Sequence, residues 1–130
     1  MPISSQENIV RAICSNQYDG DRLSPSLFKG TNTSVSRLSL IPLEEHWALF
    51  REHVQKPQHQ PLLKKIGEIN VGVLQEIGRN YVESPKEITV DPNPLDWNRA
   101  HAVIPQNITR GLANKIIHEI KLHTECETNS

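Results

Sequence analysis

The sequence predicts a single small α+β domain. In it, a mixed or antiparallel sheet of about three to five short strands packs with helices at residues 42–54 and 108–123. Its length of 130 residues suits one folding unit. Short β-prone segments fill the middle of the chain, and amphipathic helical patterns flank them. We therefore expect one domain over residues 1–123, followed by a flexible polar tail at 124–130.

The N-terminal segment has two interpretations. Ser4 and Glu7 have the spacing of a capping box before the apolar residues at 9, 10 and 13, which favours a short helix. The alternative is a strand that ends at Cys14. Residues 16–34 are rich in Asp, Gly, Ser, Asn and Thr, so they predict a long loop that holds one helical turn.

The next two elements follow from hydrophobic periodicity. Residues 35–40 alternate as a half-buried strand does. Pro42 suits the first turn of a helix, and apolar residues then recur at helical spacing as far as Val54. Trp47 lies on the apolar side of this helix, so we expect it to be mostly buried. The following residues, 55–61, contain two prolines and no apolar side chain, which predicts an exposed connector.

The second half of the chain begins with an ambiguous segment. Residues 66–77 fit both a helix and a strand, and Gly67 and Gly72 favour the strand. Further β-prone segments occur at 81–82, 87–90 and 99–104, with prolines at 92 and 94 expected to interrupt the pairing. After these strands, Asn107 or Thr109 can cap the last helix.

Composition excludes several classes of function. Fourteen Lys and Arg against fifteen Asp and Glu give a net charge of -1, so binding to nucleic acid is not expected. The apolar runs are too short for a membrane span, and no signal peptide follows Met1, so we expect a cytoplasmic protein without a membrane partner. Neither GxGxxG nor GxxxxGK[ST] occurs, which removes two common routes to nucleotide binding.

The richest chemistry lies between residues 91 and 101. Asp91, Asp96, Trp97 and His101 occur there between two predicted strands. His101 is a candidate general acid or base that a nearby carboxylate can orient, and the other three are candidate ligand-binding residues. The alternative is a strand histidine that is hydrogen-bonded to a loop backbone, with the Asp residues serving as turn formers.

Two arginines are candidate anion clamps. Arg37 sits in the strand at 35–40 between serines, and Arg22 lies in the long loop. We expect Arg37 and His101 to face one cavity together with residues 18–28, because both lie on polar faces of predicted strands. The alternative for Arg37 is an outward side chain on a solvated sheet face.

Metal and cofactor sites are not expected. Asp19 and Asp21 resemble the start of a calcium loop, but later ligand positions fall on Leu23 and Gly30. His118, His123 and Cys126 have suitable atoms at unsuitable helical spacing. Cys14 has no histidine close in sequence, so a buried structural thiol is the default interpretation.

Two segments resemble a pattern in small uncharacterised bacterial proteins. They are Ser-Val-Ser-Arg-Leu-Ser at 34–39 and the stretch from Asp91-Pro92 to Arg99-Ala-His-Ala-Val-Ile104. The resemblance covers about 20 residues and implies a bacterial origin. It implies no activity for the residues that it contains.

Two functions are consistent with these observations. The first is an accessory or protein-interaction domain, in which the long loop and Trp97 contact another protein or a second copy of the chain. The alternative is a small enzyme or binding domain for a phosphate-bearing or nucleotide ligand, with Arg37 and Arg22 as candidate clamps and His101 as acid or base. Whether Arg37 and His101 converge separates the two functions.

Overall fold

A computed structural model describes residues 2–19, 22–54 and 63–124. The described strands are β1 Asn8–Cys14, β2 Tyr18–Asp19, β3 Arg22–Leu23, β4 Thr33–Arg37, β5 Leu63–Asn70, β6 Asp91–Pro92, β7 His101–Ile104 and β8 Lys121–His123. The described α-helices are α1 Leu43–His53, α2 Val71–Arg79 and α3 Arg110–Ile117. The α+β class is therefore confirmed. None of the described helices has the length and apolar character needed to cross a membrane.

Six of the strands form one antiparallel sheet in the order β6-β7-β4-β1-β5-β8, and β2 pairs with β3 separately. The main sheet thus has slightly more strands than expected. Strand β1 lies inside it and pairs with β5 along its whole length. Its pairing with β4 is limited to Ile9 opposite Arg37 and Val10 opposite Ser36. Beyond these two pairs β1 and β4 are not paired. We call the gap between the two strands the split, and the candidate site lies there.

Both faces of the sheet are covered. Helices α2 and α3 pack on one face, where the larger core includes Ile9 and Ile13 of β1. Helix α1 packs on the other face through Trp47 and Phe50, against Val10 and other residues of β1 and β5. Trp47 is 3% exposed, so the expected burial is confirmed.

The preferred helix at the N-terminus was wrong, and the alternative strand ending at Cys14 is correct. β1 is buried on both faces, so its apolar residues do not alternate with polar ones. Ile9, Val10 and Ile13 consequently have helix-like spacing while lying on a strand.

The ambiguous segment at 66–77 contains both structures in succession. The strand prediction is correct as far as Asn70 and wrong after it. The Asn70 side chain accepts a hydrogen bond from the backbone N–H of Val73 at 3.1 Å and so caps α2. Gly67 is needed in the strand, since a Cβ there would lie 2.8 Å from Cγ2 of Ile120.

Other boundaries also differ from expectation. The last helix ends at Ile117 and not at 123, because residues 121–123 form β8 at the sheet edge beside β5. Residues 81–82 and 87–90 are not strands. Pro92 does not interrupt pairing, since it belongs to the edge strand β6, where a missing N–H is tolerated. The whole of the predicted connector at 55–61 and all of the tail except Thr124 lie outside the described residues.

Candidate functional site

The split between β1 and β4 is the structural basis of the candidate site. β1 pairs only with β5 after Val10, and β4 pairs only with β7 before Ser36. Asn8 and Leu38 are joined by a backbone hydrogen bond across β1 and β4. By the alternation of an antiparallel ladder, the backbone groups of Ala12 point into the split.

A cavity of about 460 Å³ occupies this region beside α1. Its lining includes Arg11, Cys14, Phe50, Trp97 and His101. No aspartate or glutamate is among the described residues that line it. The cavity therefore combines apolar and aromatic walls with one permanent positive charge.

Arg11 supplies that charge. Its Nε donates a hydrogen bond to the carbonyl of Leu27 at 2.6 Å, and its Nη1 donates to the carbonyl of Ser34 at 2.7 Å. No carboxylate within the described ranges forms an ion pair with it. Burial lowers the pKa of Arg11 from its ordinary value, although an arginine stays protonated in any case.

Cys14 lies near this charge but stays neutral. Burial raises the pKa of the Cys14 thiol, and the nearby Arg11 charge offsets only part of that effect. The thiol is free and buried. This agrees with the structural role expected for it and leaves the positive charge in the cavity uncompensated.

His101 lines the cavity from β7. Its Nδ1 is 2.7 Å from the carbonyl oxygen of Asn93, and because a carbonyl can only accept, Nδ1 carries the proton. The described residues supply no hydrogen-bond partner for its Nε2. The expected alternative, a strand histidine held by a loop backbone, is correct. Neither Asp91 nor Asp96 orients the ring.

A buried polar network closes the cavity on the α1 side. His46 Nδ1 donates to the carbonyl of Pro42 at 3.2 Å, so His46 Nε2 accepts a hydrogen bond from the Ser36 hydroxyl at 2.6 Å. The same hydroxyl oxygen accepts from Asn98 Nδ2 at 3.0 Å. Burial lowers the pKa of His46 from 6.5 to about 4, so its ring is neutral at pH 7. This network anchors α1 to β4 and to the segment before β7.

An aromatic pair forms another wall. The rings of His53 and Trp97 stack with centroids 4.4 Å apart and planes 16° apart. Trp97 is half-buried and also borders a shallower outer cavity of about 390 Å³ beside Asp96 and Arg99. A planar group in the inner cavity can therefore contact an aromatic surface.

The predicted convergence of Arg37 and His101 is wrong. His101 lies directly opposite Ser36 in the β4–β7 ladder and shares its face of the sheet, so the adjacent Arg37 points to the other face. The Arg37 guanidinium binds Glu7 with two hydrogen bonds, Nε to Oε1 at 3.0 Å and Nη2 to Oε2 at 2.7 Å. Sequence could not show this ion pair, because 30 residues separate its members.

The other candidates are dispersed. Arg22 is exposed and borders a different cavity beside α3. Asp91 is half-buried on the edge strand β6, opposite Val103. Asp96 is exposed at the outer cavity. Of the predicted site residues, only Trp97 and His101 line the cavity at the split.

Sequence analysis missed Arg11 because the segment around it was predicted to be a short helix. The available signal is a lone cation inside Ile-Val-Arg-Ala-Ile-Cys at 9–14, an apolar run that is otherwise uninterrupted. In a strand buried on both faces, a charged residue needs a specific reason. His46 and Asn98 left no comparable signal, since their contacts with Ser36 depend on the tertiary fold.

The described residues contain no group of three His, Cys, Asp or Glu side chains that can hold a metal ion. His123 Nε2 lies 2.7 Å from Glu68 Oε1 across the β5–β8 pair. Cys126 lies outside the described residues. Comparison with protein-family models, with curated proteins and with solved structures gives no match, and the site is therefore interpreted from its own geometry.

Proposed function

We propose that this protein is a binding domain for a small anion that contains a planar ring, a carboxylate or a phosphate ester, which occupies the cavity between β1, β4 and α1. The observation that carries the proposal is Arg11, a partly buried arginine that lines a cavity without a described carboxylate. This retains the phosphate-bearing ligand expected from sequence. In this proposal the arginine that binds the anion is Arg11 and not Arg37.

Charge favours an anion. A positive charge withdrawn from water without a counter-ion raises the free energy of the fold. Two of the five N–H groups of Arg11 have described acceptors, both of them backbone carbonyls. A carboxylate or phosphate oxygen bound to the remaining N–H groups would compensate the charge through short, charge-assisted hydrogen bonds.

Shape and polarity favour a ligand with a ring. Phe50, His53 and Trp97 contribute aromatic surface, and the cavity is large enough for a single ring with its charged substituent. His101 Nε2 and the backbone of Ala12 offer further hydrogen-bonding groups. In this proposal His101 is a ligand-binding residue, because its described hydrogen bond, from Nδ1 to the carbonyl of Asn93, fixes the ring with Nε2 free for a ligand.

The test is an NMR titration of the ¹⁵N-labelled full chain with phenyl phosphate, benzoate and the neutral benzyl alcohol. The two tryptophans provide internal probes, because Trp97 lines the cavity and Trp47 lies in the core. We expect phenyl phosphate or benzoate to shift the Trp97 indole signal more than that of Trp47. Whichever anion binds more tightly identifies the charged group.

Arg11→Gln is the informative variant, and Arg37→Gln is its matched control, since Arg37 lies outside the cavity. Loss of a charged hydrogen-bond donor should weaken anion binding about tenfold or more in Arg11→Gln. Arg37→Gln should bind as the wild type does. Equal affinities for all three proteins, or equal binding of benzyl alcohol, would reject the proposal.

A second candidate is the protein-interaction domain, and Trp97 is the observation that favours it. Trp97 borders the outer cavity together with Ile41 and Leu49, which gives a half-buried aromatic anchor beside apolar side chains. A second copy of the chain is the simplest partner to test by sedimentation velocity. Self-association that Trp97→Ala abolishes and Val82→Ser preserves would support this candidate, since Val82 is 90% exposed elsewhere. A monomeric wild type would exclude the second copy.

We also propose a cytoplasmic location, as expected from sequence. The free thiol of Cys14 supports a reducing compartment. Cell fractionation with an antibody against the protein tests this directly, and recovery from an extracytoplasmic fraction would contradict it.

A further inference from the structure

A second cavity, of about 430 Å³, lies beside α3 and the β2–β3 hairpin, away from the split. Its polar lining comes from Tyr18, Arg22, Lys65, Arg110, Asn114 and His118. These residues come from the β2–β3 hairpin, from β5 and from α3 with its C-cap, so only the fold brings them together. We call this set the basic cavity.

The basic cavity concentrates positive charge in a protein of net charge -1. Arg22, Lys65 and Arg110 are permanent cations, and His118 adds a titratable one. Among the side chains that the structure describes, at residues 2–18, 22–54 and 63–124, no carboxylate lines the cavity and none forms an ion pair with these four side chains. Their mutual repulsion is unfavourable unless an anion is present.

Tyr18 provides an independent indication of a ligand. Its hydroxyl is buried and has no hydrogen-bond partner among the described residues. Burial raises the pKa of Tyr18, so the hydroxyl keeps its proton and can act as a donor. Buried polar groups in proteins are almost always hydrogen-bonded, so an unpartnered hydroxyl on a side chain that lines a cation-rich cavity indicates an acceptor supplied by a ligand.

We propose that the basic cavity binds a diphosphate group of a small molecule. Three permanent cations match the charge of a diphosphate better than that of a single phosphate, and its adjacent phosphoryl groups offer many acceptor oxygens. Leu23, Pro25, Ile117 and Leu122 form an apolar border that can contact the rest of the molecule. This site is separate from the Arg11 cavity and does not depend on the function proposed for it.

Isothermal titration calorimetry of the full chain with inorganic pyrophosphate, and with orthophosphate for comparison, tests the proposal. We expect pyrophosphate to bind with a dissociation constant in the millimolar range or below and orthophosphate to bind more weakly. Lys65→Gln and Arg110→Gln should each weaken pyrophosphate binding about tenfold. Tyr18→Phe should weaken it severalfold while leaving the protein folded.

Lys64→Gln is the matched control, because Lys64 adjoins Lys65 on β5 but is exposed and lies outside the cavity. It should bind pyrophosphate as the wild type does. Absence of pyrophosphate binding, or equal loss in Lys64→Gln and Lys65→Gln, would overturn the proposal. Tighter binding of a single-stranded oligonucleotide that Lys65→Gln abolishes would also overturn it, in favour of a nucleic-acid site.

Discussion

Arg11 and Arg37 lie at opposite ends of the short contact between β1 and β4. Arg37 stands at the paired end and binds Glu7 through two hydrogen bonds, with the Ser39 hydroxyl donating to the same carboxylate at 2.6 Å. Arg11 stands at the split end and donates only to backbone carbonyls. The Glu7 hydrogen bonds raise the pKa of Arg37, whereas burial lowers that of Arg11.

The difference shows that the surroundings of an arginine, and not its place on a strand, determine whether it is available to a ligand. At the paired end the positive charge is already compensated, and the ion pair stabilises the fold. At the split end the protein supplies the cavity and the charge but no counter-ion among the described residues. The predictions that follow test this contrast.

The largest expected effect concerns the helix that bounds the split. Trp47→Ala should destabilise the protein by about 3–5 kcal/mol, because removal of a buried aromatic side chain leaves a cavity in the α1 core. Urea denaturation measures the free energy of unfolding. Trp97→Ala is the control, and its loss should be smaller because Trp97 is only half-buried. A loss below about 1 kcal/mol for Trp47→Ala would show that α1 is not anchored as described.

The next prediction concerns pH. The pKa of His46 is about 4 in the fold and about 6.5 when unfolded, so the unfolded chain takes up the proton first as the pH falls. Stability is therefore complete above pH 6.5 and decreases towards pH 4, by about 3 kcal/mol in total. Denaturation at a series of pH values measures this slope.

Glu7 affects a lower pH range. Its hydrogen bonds with Arg37 and Ser39 hold the pKa of this carboxyl below the ordinary 4.5, so its contribution is lost only as the pH falls further. His46→Gln should remove most of the slope between pH 6.5 and 4.5 and leave the decline below it. An unchanged slope in His46→Gln would contradict the assignment.

A smaller effect is expected when each of the two arginines is replaced and the free energies of unfolding are compared. Arg37→Met should cost about 1–3 kcal/mol, because it leaves the partly buried Glu7 carboxylate without its cation. Arg11→Met also loses two hydrogen bonds, but it removes a desolvated charge as well, so its cost should be below about 1 kcal/mol. Thermal or urea denaturation of both variants checks the order. A larger loss in Arg11→Met would mean that Arg11 is mainly structural.

Sequence predicted the parts of the fold that depend on local pattern. α1 and the burial of Trp47 follow from helical periodicity, and the β-prone segment at 99–104 contains β7. β1 could not be identified in this way, because burial on both faces removes the alternation. The candidate site was harder to predict from sequence than the fold. Glu7 is the counter-ion of Arg37, and the described residues supply none for Arg11, but both facts depend on residues that are distant in sequence.

A crystal structure of the protein with phenyl phosphate tests the central claim most directly. We expect a phosphate oxygen about 3 Å from the Arg11 guanidinium, with the phenyl ring against Trp97 and Arg37 still bound to Glu7. A carboxylate of the protein paired with Arg11 would contradict the account, as would phosphate bound elsewhere while the cavity at the split stays empty.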